Sequence, residues 1–201
     1  MPGFTTHTVD TNGTTLSVAV GGDGPTMVLL HGWPQTGHAW RHVMGQLAER
    51  YTVVVPDLRG AGASALADHG YRKTNQAQDM RGVLQHLGLS GPSVVVGHDI
   101  GAMVAFSWAA AHPDDVAALV LLDVLLPGLG LEEAMDVANG GMWHFGFFMQ
   151  PRLPEMLFDG HELEFFTATF TAISNPGTFS DEDLAYYARA YRGRERLAGG
   201  F

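Results

Sequence analysis

One acidic residue stands where a strand is predicted to meet a helix. Residues 94–105 read Val-Val-Val-Gly-His-Asp-Ile-Gly-Ala-Met-Val-Ala, so that Gly97 and Gly101 flank Asp99. This order predicts a nucleophile elbow, a tight strand-to-helix turn with small residues at its crowded positions. A carboxylate is ionised near neutral pH and needs no base in order to attack. Attack on a strained C–O bond or a C–halogen bond gives an ordinary ester, so Asp99 indicates epoxide or organohalide chemistry.

Asp99 also has a plainer interpretation. Aspartate is a favoured N-cap residue, and a helical run begins directly after it. The flanking glycines, together with the motifs described below, favour the nucleophile.

Strand and helix patterns alternate along the first 122 residues. The antiparallel hairpin signal Asn12-Gly13 joins the first two runs. The predicted strands are Phe4–Val9, Thr14–Val20, Met27–Leu30, Tyr51–Val55, the elbow strand and Val116–Leu122. This rhythm predicts a mostly parallel sheet flanked by helices, with ligands bound at the carboxyl ends of the strands. The residues that fall at those ends are His31, Asp57, Asp99 and Asp123.

Three helices are predicted between these strands. Trp40, Val43, Met44 and Leu47 have helical spacing, and Thr74 is expected to cap a second helix that ends at Gly88. The third helix, Ile100–Ala111, is apolar nearly all round, which predicts a central buried position.

The pattern changes after Asp123. Residues 129–201 lack a convincing strand and are rich in aromatic side chains, including Trp143, Phe145, Phe147, Phe148, Phe165, Phe166 and Phe170. The predicted helices are Met142–Met149, Leu153–Phe158, His161–Ser174 and Ser180–Tyr191, the last with a capping box of Ser180 and Asp183. We therefore expect an α/β core over residues 1–123 and a helical cap over residues 124–201.

The composition narrows the class of protein. The chain has 201 residues with 46% hydrophobic and 16% charged residues, which indicates a folded, rather apolar domain. A formal net charge of -10 argues against nucleic acid and anionic membranes as partners. Cysteine is absent, so the sequence offers no thiolate metal site, and neither a metal nor a cofactor is expected. Because we see neither a signal peptide nor a spanning segment, we expect a cytoplasmic protein.

Three motifs together resemble a known family. His31-Gly32-Trp33-Pro34, Asp57-Leu58-Arg59-Gly60 and Gly97-His98-Asp99-Ile100-Gly101 resemble an α/β-hydrolase of the epoxide hydrolase and dehalogenase branch. In the cap, Trp143-His144-Phe145 resembles the Cif-type bacterial epoxide hydrolases and, more loosely, the fluoroacetate dehalogenases.

The resemblance implies a role for each matched residue. Asp99 would be the nucleophile, with an oxyanion hole formed by the backbone N–H groups of Trp33 and Ile100. Asp123 would orient a catalytic histidine, and His144 would donate a hydrogen bond to the epoxide oxygen. The remaining matched residues would line the substrate pocket: Pro34, Trp143 and Phe145. The plainer interpretations stay open, because Asp123 also suits a turn cap and His144 also suits an aromatic core.

The sequence leaves open whether the substrate is an epoxide or an organohalide. Fluoroacetate dehalogenases carry an arginine directly after the nucleophile, whereas Ile100 occupies that position here. A small apolar epoxide is therefore the favoured substrate, with a haloacid or haloalkane as the alternative. Tyr186, Tyr187 and Tyr191 are candidate donors to an epoxide, but we expect them to pack within the cap.

The resemblance further implies two more strands after the cap and a catalytic histidine beyond them. None of the ten histidines lies in such a position, so the last strands and the base are expected to be missing. Without the base, Asp99 could still form the ester, but hydrolysis of the ester would be impaired. The alternative that the chain is a non-catalytic relic or a binder of apolar ligands also stays open. An uncovered sheet edge would favour association, including a homodimer through the cap or the exposed sheet edge.

Overall fold

A computed structural model describes residues 2–200. The chain divides into two compact units, the first ending at Val124 and the second beginning at Leu125.

The first unit contains a six-stranded sheet. In chain order the strands are β1 (Phe4–Thr11), β2 (Thr14–Gly21), β3 (Thr26–Leu30), β4 (Thr52–Pro56), β5 (Ser93–His98) and β6 (Val116–Leu122). Their order across the sheet is β1-β2-β4-β3-β5-β6. The β1–β2 hairpin and the β2–β4 pair are antiparallel, whereas β4, β3, β5 and β6 run parallel. The predicted strands and the mostly parallel sheet are confirmed.

Both faces of the central strands are buried. Because successive side chains point to opposite sides of the sheet, neighbouring residues of one strand enter two different cores. Val28, Leu30 and Val54 belong to the core on one side, while Met27 and Leu29 belong to the core on the other. The unbroken apolar runs in these strands reflect this burial on two sides.

Three α-helices belong to the first unit: α1 (Met44–Leu47), α2 (Lys73–His86) and α3 (Ile100–Ala111). The range of α3 is as predicted, but Phe106 is 41% exposed, so the helix is not buried all round. The periodic run from Trp40 to Leu47 forms a 3₁₀ turn, Gly37–Trp40, and the single turn of α1. The prediction that Thr74 caps α2 is wrong. The helix begins at Lys73, after an extended Arg72, and has no side-chain cap.

The second unit is helical. It contains α4 (Leu131–Met135), α5 (Trp143–Phe148), α6 (Leu153–Phe158), α7 (Glu162–Ile173), α8 (Asp181–Ala190) and α9 (Arg194–Gly200). Four of these were predicted to within one or two residues; α4 and α9 were not. The capping box at the start of α8 is present, with Ser180 and Asp183 bonded to each other's backbone.

The core of the second unit is aromatic. Phe166, Tyr187 and Tyr191 are almost fully buried, and the ring of Tyr191 meets that of Phe166 edge-on at 5.9 Å between centroids. The packing role expected of these two tyrosines is confirmed. No helix within residues 2–200 has the length and apolar character needed to cross a bilayer.

Candidate active site

The turn between β5 and α3 exposes Asp99. The strand ends at His98 and the helix begins at Ile100, so that the whole turn is made by Asp99, whose φ of 50° lies in the left-handed region. A side chain on Gly97 would lie 2.5 Å from the Cα atom of Ala102, within the following helix. A non-glycine residue is rarely held at positive φ, and such strain is concentrated at functional sites.

Close approach of β3 explains the second elbow glycine. A Cβ atom on Gly101 would lie 2.5 Å from the carbonyl oxygens of both Leu30 and His31. A Cβ atom on Gly32, just after β3, would lie 2.7 Å from the Cβ atom of Asp99. The elbow and the end of β3 are therefore packed backbone against backbone, which places the loop after β3 on the Asp99 carboxylate.

A backbone amide binds the carboxyl group of Asp99. The N–H of Trp33 donates to Oδ2 at 2.8 Å, and the adjacent amide of Ile100 also lowers the pKa of this carboxyl by stabilising its charged form. The side chain makes no N-capping hydrogen bond, although Asp99 directly precedes α3. The structure thus brings together Asp99, Trp33 and Ile100, the residues to which the family resemblance assigns the nucleophile and the oxyanion hole. Pro34, the next residue of this loop, is buried.

The protein environment acts on the ionisation of Asp99 in two directions. Burial raises the pKa of the Asp99 carboxyl above its usual value, because it disfavours the charged form. The amides of Trp33 and Ile100 lower this pKa, as do the charges of His98 and Lys73.

Lys73 was not predicted from the sequence. It is the only lysine in the chain and the first residue of α2, where its side chain is half-buried. Burial lowers the pKa of Lys73, and the Asp99 carboxylate opposes this by raising it. The helix dipole disfavours a positive charge at a helix N-terminus, so Lys73 is not placed there to stabilise α2. Its charge instead lowers the pKa of Asp99. Its uniqueness and its place after β4 were the signals that could have pointed to it.

His31 is fully buried between two loops. Its Nε2 atom accepts a hydrogen bond from the N–H of Leu58 at 2.9 Å, and its Nδ1 atom lies 2.9 Å from the carbonyl oxygen of Gly32. Burial lowers the pKa of His31, although the carboxylates of Asp57 and Asp99 and the contact with Gly32 raise it. The ring is therefore held neutral, which suits an acceptor at Nε2.

Asp57 binds two backbone amides of the loops beside it. Its Oδ1 atom accepts from the N–H of Gly37 at 2.8 Å, and its Oδ2 atom accepts from the N–H of Ala63 at 2.9 Å.

Within residues 2–200, no three histidine, aspartate or glutamate side chains form a group that could hold a metal ion.

A buried ion pair fixes the same loop from its other side. Arg59 donates to Asp79 through Nε at 3.0 Å and through Nη2 at 2.7 Å, and it also binds the carbonyl oxygens of Asn12 and His69. Burial raises the pKa of Asp79, which the bonds from Arg59 and Asn12 lower. Sequence reasoning missed this pair, because its members are 20 positions apart on different elements.

Asp123 lies beside the elbow at the end of β6. The backbone N–H of Asp99 donates to the carbonyl oxygen of Leu122 at 3.1 Å, so the two strand ends are adjacent. Asp123 has a φ of 45° and is exposed, and its side chain makes no hydrogen bond within residues 2–200. The geometry thus brings Asp123 to the carboxyl end of the sheet, next to the elbow.

The aromatic residues singled out in the sequence begin α5 in the second unit. Trp143 is 57% exposed, while His144 and Phe145 are half-buried. The rings of His144 and Phe145 lie 4.6 Å apart between centroids, and Trp143 meets His144 edge-on at 6.0 Å. His144 is thus an aromatic-packed imidazole on a partly exposed helix.

Comparisons with known proteins show the family to which the chain belongs. Residues 25–150 match the family model described as the alpha/beta hydrolase fold. The chain is 38% identical over 195 residues to a soluble epoxide hydrolase from Corynebacterium sp. (strain C12), covering 92% of this chain and 66% of the relative. It is 34% identical over 205 residues to a fluoroacetate dehalogenase from Burkholderia sp., covering 98% of this chain and 67% of the relative.

A solved structure, that of Cfl2 from Burkholderia cenocepacia, superposes with a TM-score of 0.84 at 36% identity, covering 94% of this chain and 65% of that one. The chain belongs to the α/β-hydrolase family, in the branch that contains epoxide hydrolases and dehalogenases. It spans about two thirds of the length of these relatives.

Proposed function

We propose that Asp99 attacks a small apolar epoxide and forms a covalent ester with it. The observation that carries this proposal is the carboxylate of Asp99 on its elbow, with Oδ2 bound by the amide of Trp33. Since Oδ2 is occupied, Oδ1 is the attacking atom. The epoxide hydrolase relative, 38% identical, supports the same assignment.

The first step is a ring opening. Oδ1 of Asp99 forms a bond to one epoxide carbon, the C–O bond of that carbon breaks, and the alkoxide oxygen takes up a proton. The protein then carries a hydroxyalkyl ester that contains every atom of the epoxide. The raised pKa of Asp99 limits this step at low pH, because the protonated carboxyl is a poor nucleophile.

From the family resemblance, His144 is the proposed donor to the epoxide oxygen, and Trp143, Phe145 and Pro34 are proposed to contact the substrate. This proposal is supported by the ring contacts of His144 with its aromatic neighbours, which leave an imidazole on an otherwise apolar helix face. An aromatic lining suits an apolar epoxide better than it suits a charged substrate.

Hydrolysis of the ester needs a base that deprotonates water, and such help is worth roughly 10²–10⁴-fold in rate. His31 is unsuited to this role, since both of its ring nitrogens are engaged. Asp123, exposed at the adjacent strand end, is proposed to orient the histidine base that the family resemblance implies. Where no such base acts, we expect the ester to form faster than it is hydrolysed.

A dehalogenase is the second candidate, supported by the 34% identity to a fluoroacetate dehalogenase. The same attack by Asp99 on a carbon bearing a halogen would break the C–halogen bond and release halide. The protein would then gain only the alkyl part of the substrate. Ile100, apolar at the position directly after the nucleophile, favours the epoxide.

Intact-protein mass spectrometry tests the proposal. The purified chain is incubated with styrene oxide, and one adduct of the full epoxide mass is expected, located at Asp99 by peptide mapping. Asp99→Asn serves as the control and should carry no adduct. If folded parent protein shows neither an epoxide adduct nor halide release from fluoroacetate or a haloalkane, the nucleophile assignment is refuted. Halide release without an epoxide adduct would favour the dehalogenase.

The role of His144 is tested by the rate of the same adduct. We expect His144→Ala to slow ester formation at least tenfold and His144→Gln, which keeps an N–H donor, to restore part of the rate. His161→Ala is the matched control, because its side chain is 67% exposed in the same unit. Equal rates in all three variants would remove His144 from the mechanism.

A further inference from the structure

The imidazole of His31 lies within a continuous series of hydrogen bonds. The N–H of Leu58 can only donate, so Nε2 of His31 must be the bare, accepting nitrogen. The neutral ring then carries its proton on Nδ1, which donates to the carbonyl oxygen of Gly32 at 2.9 Å. One tautomer therefore satisfies both contacts.

The carbonyl of Gly32 and the N–H of Trp33 belong to the same planar peptide group. The carbonyl oxygen accepts from His31 and also from the N–H of Gln35 at 2.9 Å. The N–H on the opposite side of that peptide donates to Oδ2 of Asp99 at 2.8 Å. Because hydrogen bonds in series polarise one another, donation to the carbonyl strengthens the N–H as a donor. It also fixes the plane in which that N–H points.

We propose that His31 is a positioning residue of the oxyanion hole, acting on Asp99 through the Gly32–Trp33 peptide group. This inference rests on the proposed function, since it concerns the same nucleophile. The series runs from the Leu58 amide through the ring and the peptide group to Oδ2, and it links the loop after β4 with the loop after β3.

The Gly32–Trp33 peptide group is packed closely against the elbow, so a small change in its orientation changes the distance from its N–H to Asp99. A Cβ atom on Gly32 would lie 2.8 Å from Nδ1 of His98 and 2.9 Å from Oδ2 of Asp99, which shows how closely the elbow is packed against it. The carbonyl oxygen of His31 itself lies against Gly101 of α3. A tilt of the peptide would therefore move the donor away from Oδ2 rather than be absorbed by slack.

Two substitutions separate positioning from simple core packing. In His31→Asn the amide nitrogen takes the place of Nδ1 and keeps the donor to Gly32, whereas the acceptor for Leu58 is lost. In His31→Gln the amide oxygen extends toward Leu58, whereas the donor to Gly32 is lost. Both variants remove ring volume from a fully buried site, so both are expected to lower the urea midpoint of unfolding.

The rate of Asp99 ester formation with styrene oxide is the first measurement. We expect His31→Gln to lose roughly 10²-fold, the size of effect associated with a misplaced catalytic geometry. His31→Asn should stay within about tenfold of the parent. Equal losses in the two variants, or losses that follow their urea midpoints, would overturn the proposal.

The second measurement does not depend on chemistry at Asp99. In ¹⁵N–¹H NMR spectra, the amide proton of Trp33 should shift upfield in His31→Gln and stay close to the parent in His31→Asn. In the parent protein, ¹⁵N spectra of the ring should show a protonated Nδ1 and a bare Nε2 at His31. A ring protonated at Nε2 or an unresponsive Trp33 amide would overturn the inference, whereas absent ester formation with the expected NMR result would refute only the proposed function.

Discussion

Replacement of Gly101 by alanine probes the contact on which the site depends. The added methyl group would lie 2.5 Å from the carbonyl oxygens of Leu30 and His31, about 0.9 Å short of ordinary van der Waals contact. Both obstacles are backbone atoms at the end of β3, a strand paired on both sides in the middle of the sheet. The start of α3 must therefore move outward by a similar distance.

The size of the effect follows from two opposed contributions. Alanine favours a helix over glycine by about 0.8–1.0 kcal/mol. Overpacking of a closely packed contact costs about 1–3 kcal/mol and occasionally more. Gly45 is the matched control, because it lies in α1 and a methyl group added there would meet no atom within 4 Å, so only the helical gain applies.

We expect Gly45→Ala to leave unfolding unchanged or to stabilise the protein by up to about 1 kcal/mol. Gly101→Ala should destabilise it by up to about 2 kcal/mol, which is the overpacking cost less the helical gain, and the outward movement of α3 carries Asp99 and Ile100 away from the amide of Trp33. A displacement of about 1 Å at reacting atoms lowers a rate by roughly 10²-fold. The variant should therefore lose ester formation more strongly than it loses stability.

Urea unfolding followed by circular dichroism measures the stability of both variants, and intact mass after a fixed exposure to styrene oxide measures the rate. If Gly101→Ala proves as stable and as fast as Gly45→Ala, the close approach of α3 to β3 does not position the nucleophile, and the steric reasoning given for the elbow fails.

Three further outcomes follow from the site and the sheet edge. Lys73→Gln should raise the pKa of Asp99 by removing a positive charge that lowers it, so the acid limb of the pH–rate profile of ester formation moves to higher pH; Arg72→Gln, at an exposed neighbouring cation, should leave it in place. Asp99→Asn should raise the free energy of unfolding at pH 7 in urea titrations, because a carboxyl whose pKa is raised by folding destabilises the fold while it is ionised. The difference from the parent should shrink as the pH falls through the raised pKa and vanish below the ordinary pKa of an aspartate. Val120 and Leu122, both 40% exposed on the edge strand β6, should promote self-association. The double variant Val120→Thr/Leu122→Thr should therefore shift toward monomer in size-exclusion chromatography with light scattering, and a monomeric parent would contradict this.

Local patterns were sufficient wherever neighbouring residues determine the conformation. The ranges of α3 and β6 and the capping box of Ser180 follow from contacts within a few positions of the chain, and the sequence predicted all three. The elbow is also local in this sense, since its glycines flank Asp99 directly. Where local signals competed, prediction was weaker: Thr74 has the residue type of a cap, but α2 begins one position before it, at Lys73.

The remaining features of the site depend on residues distant in the chain. The amide of Trp33 meets Asp99 across 66 positions, and His31 meets Leu58 across 27, because the crossovers of a parallel sheet bring separate strand ends together. From the sequence, the order of motifs predicted Asp99 as the nucleophile and indicated the family to which the chain belongs. Only the tertiary structure showed that the charge of the lone lysine lowers the pKa of Asp99 and that the buried ring of His31 contacts the carbonyl of Gly32, since neither burial nor a hydrogen bond between distant residues is encoded by local spacing.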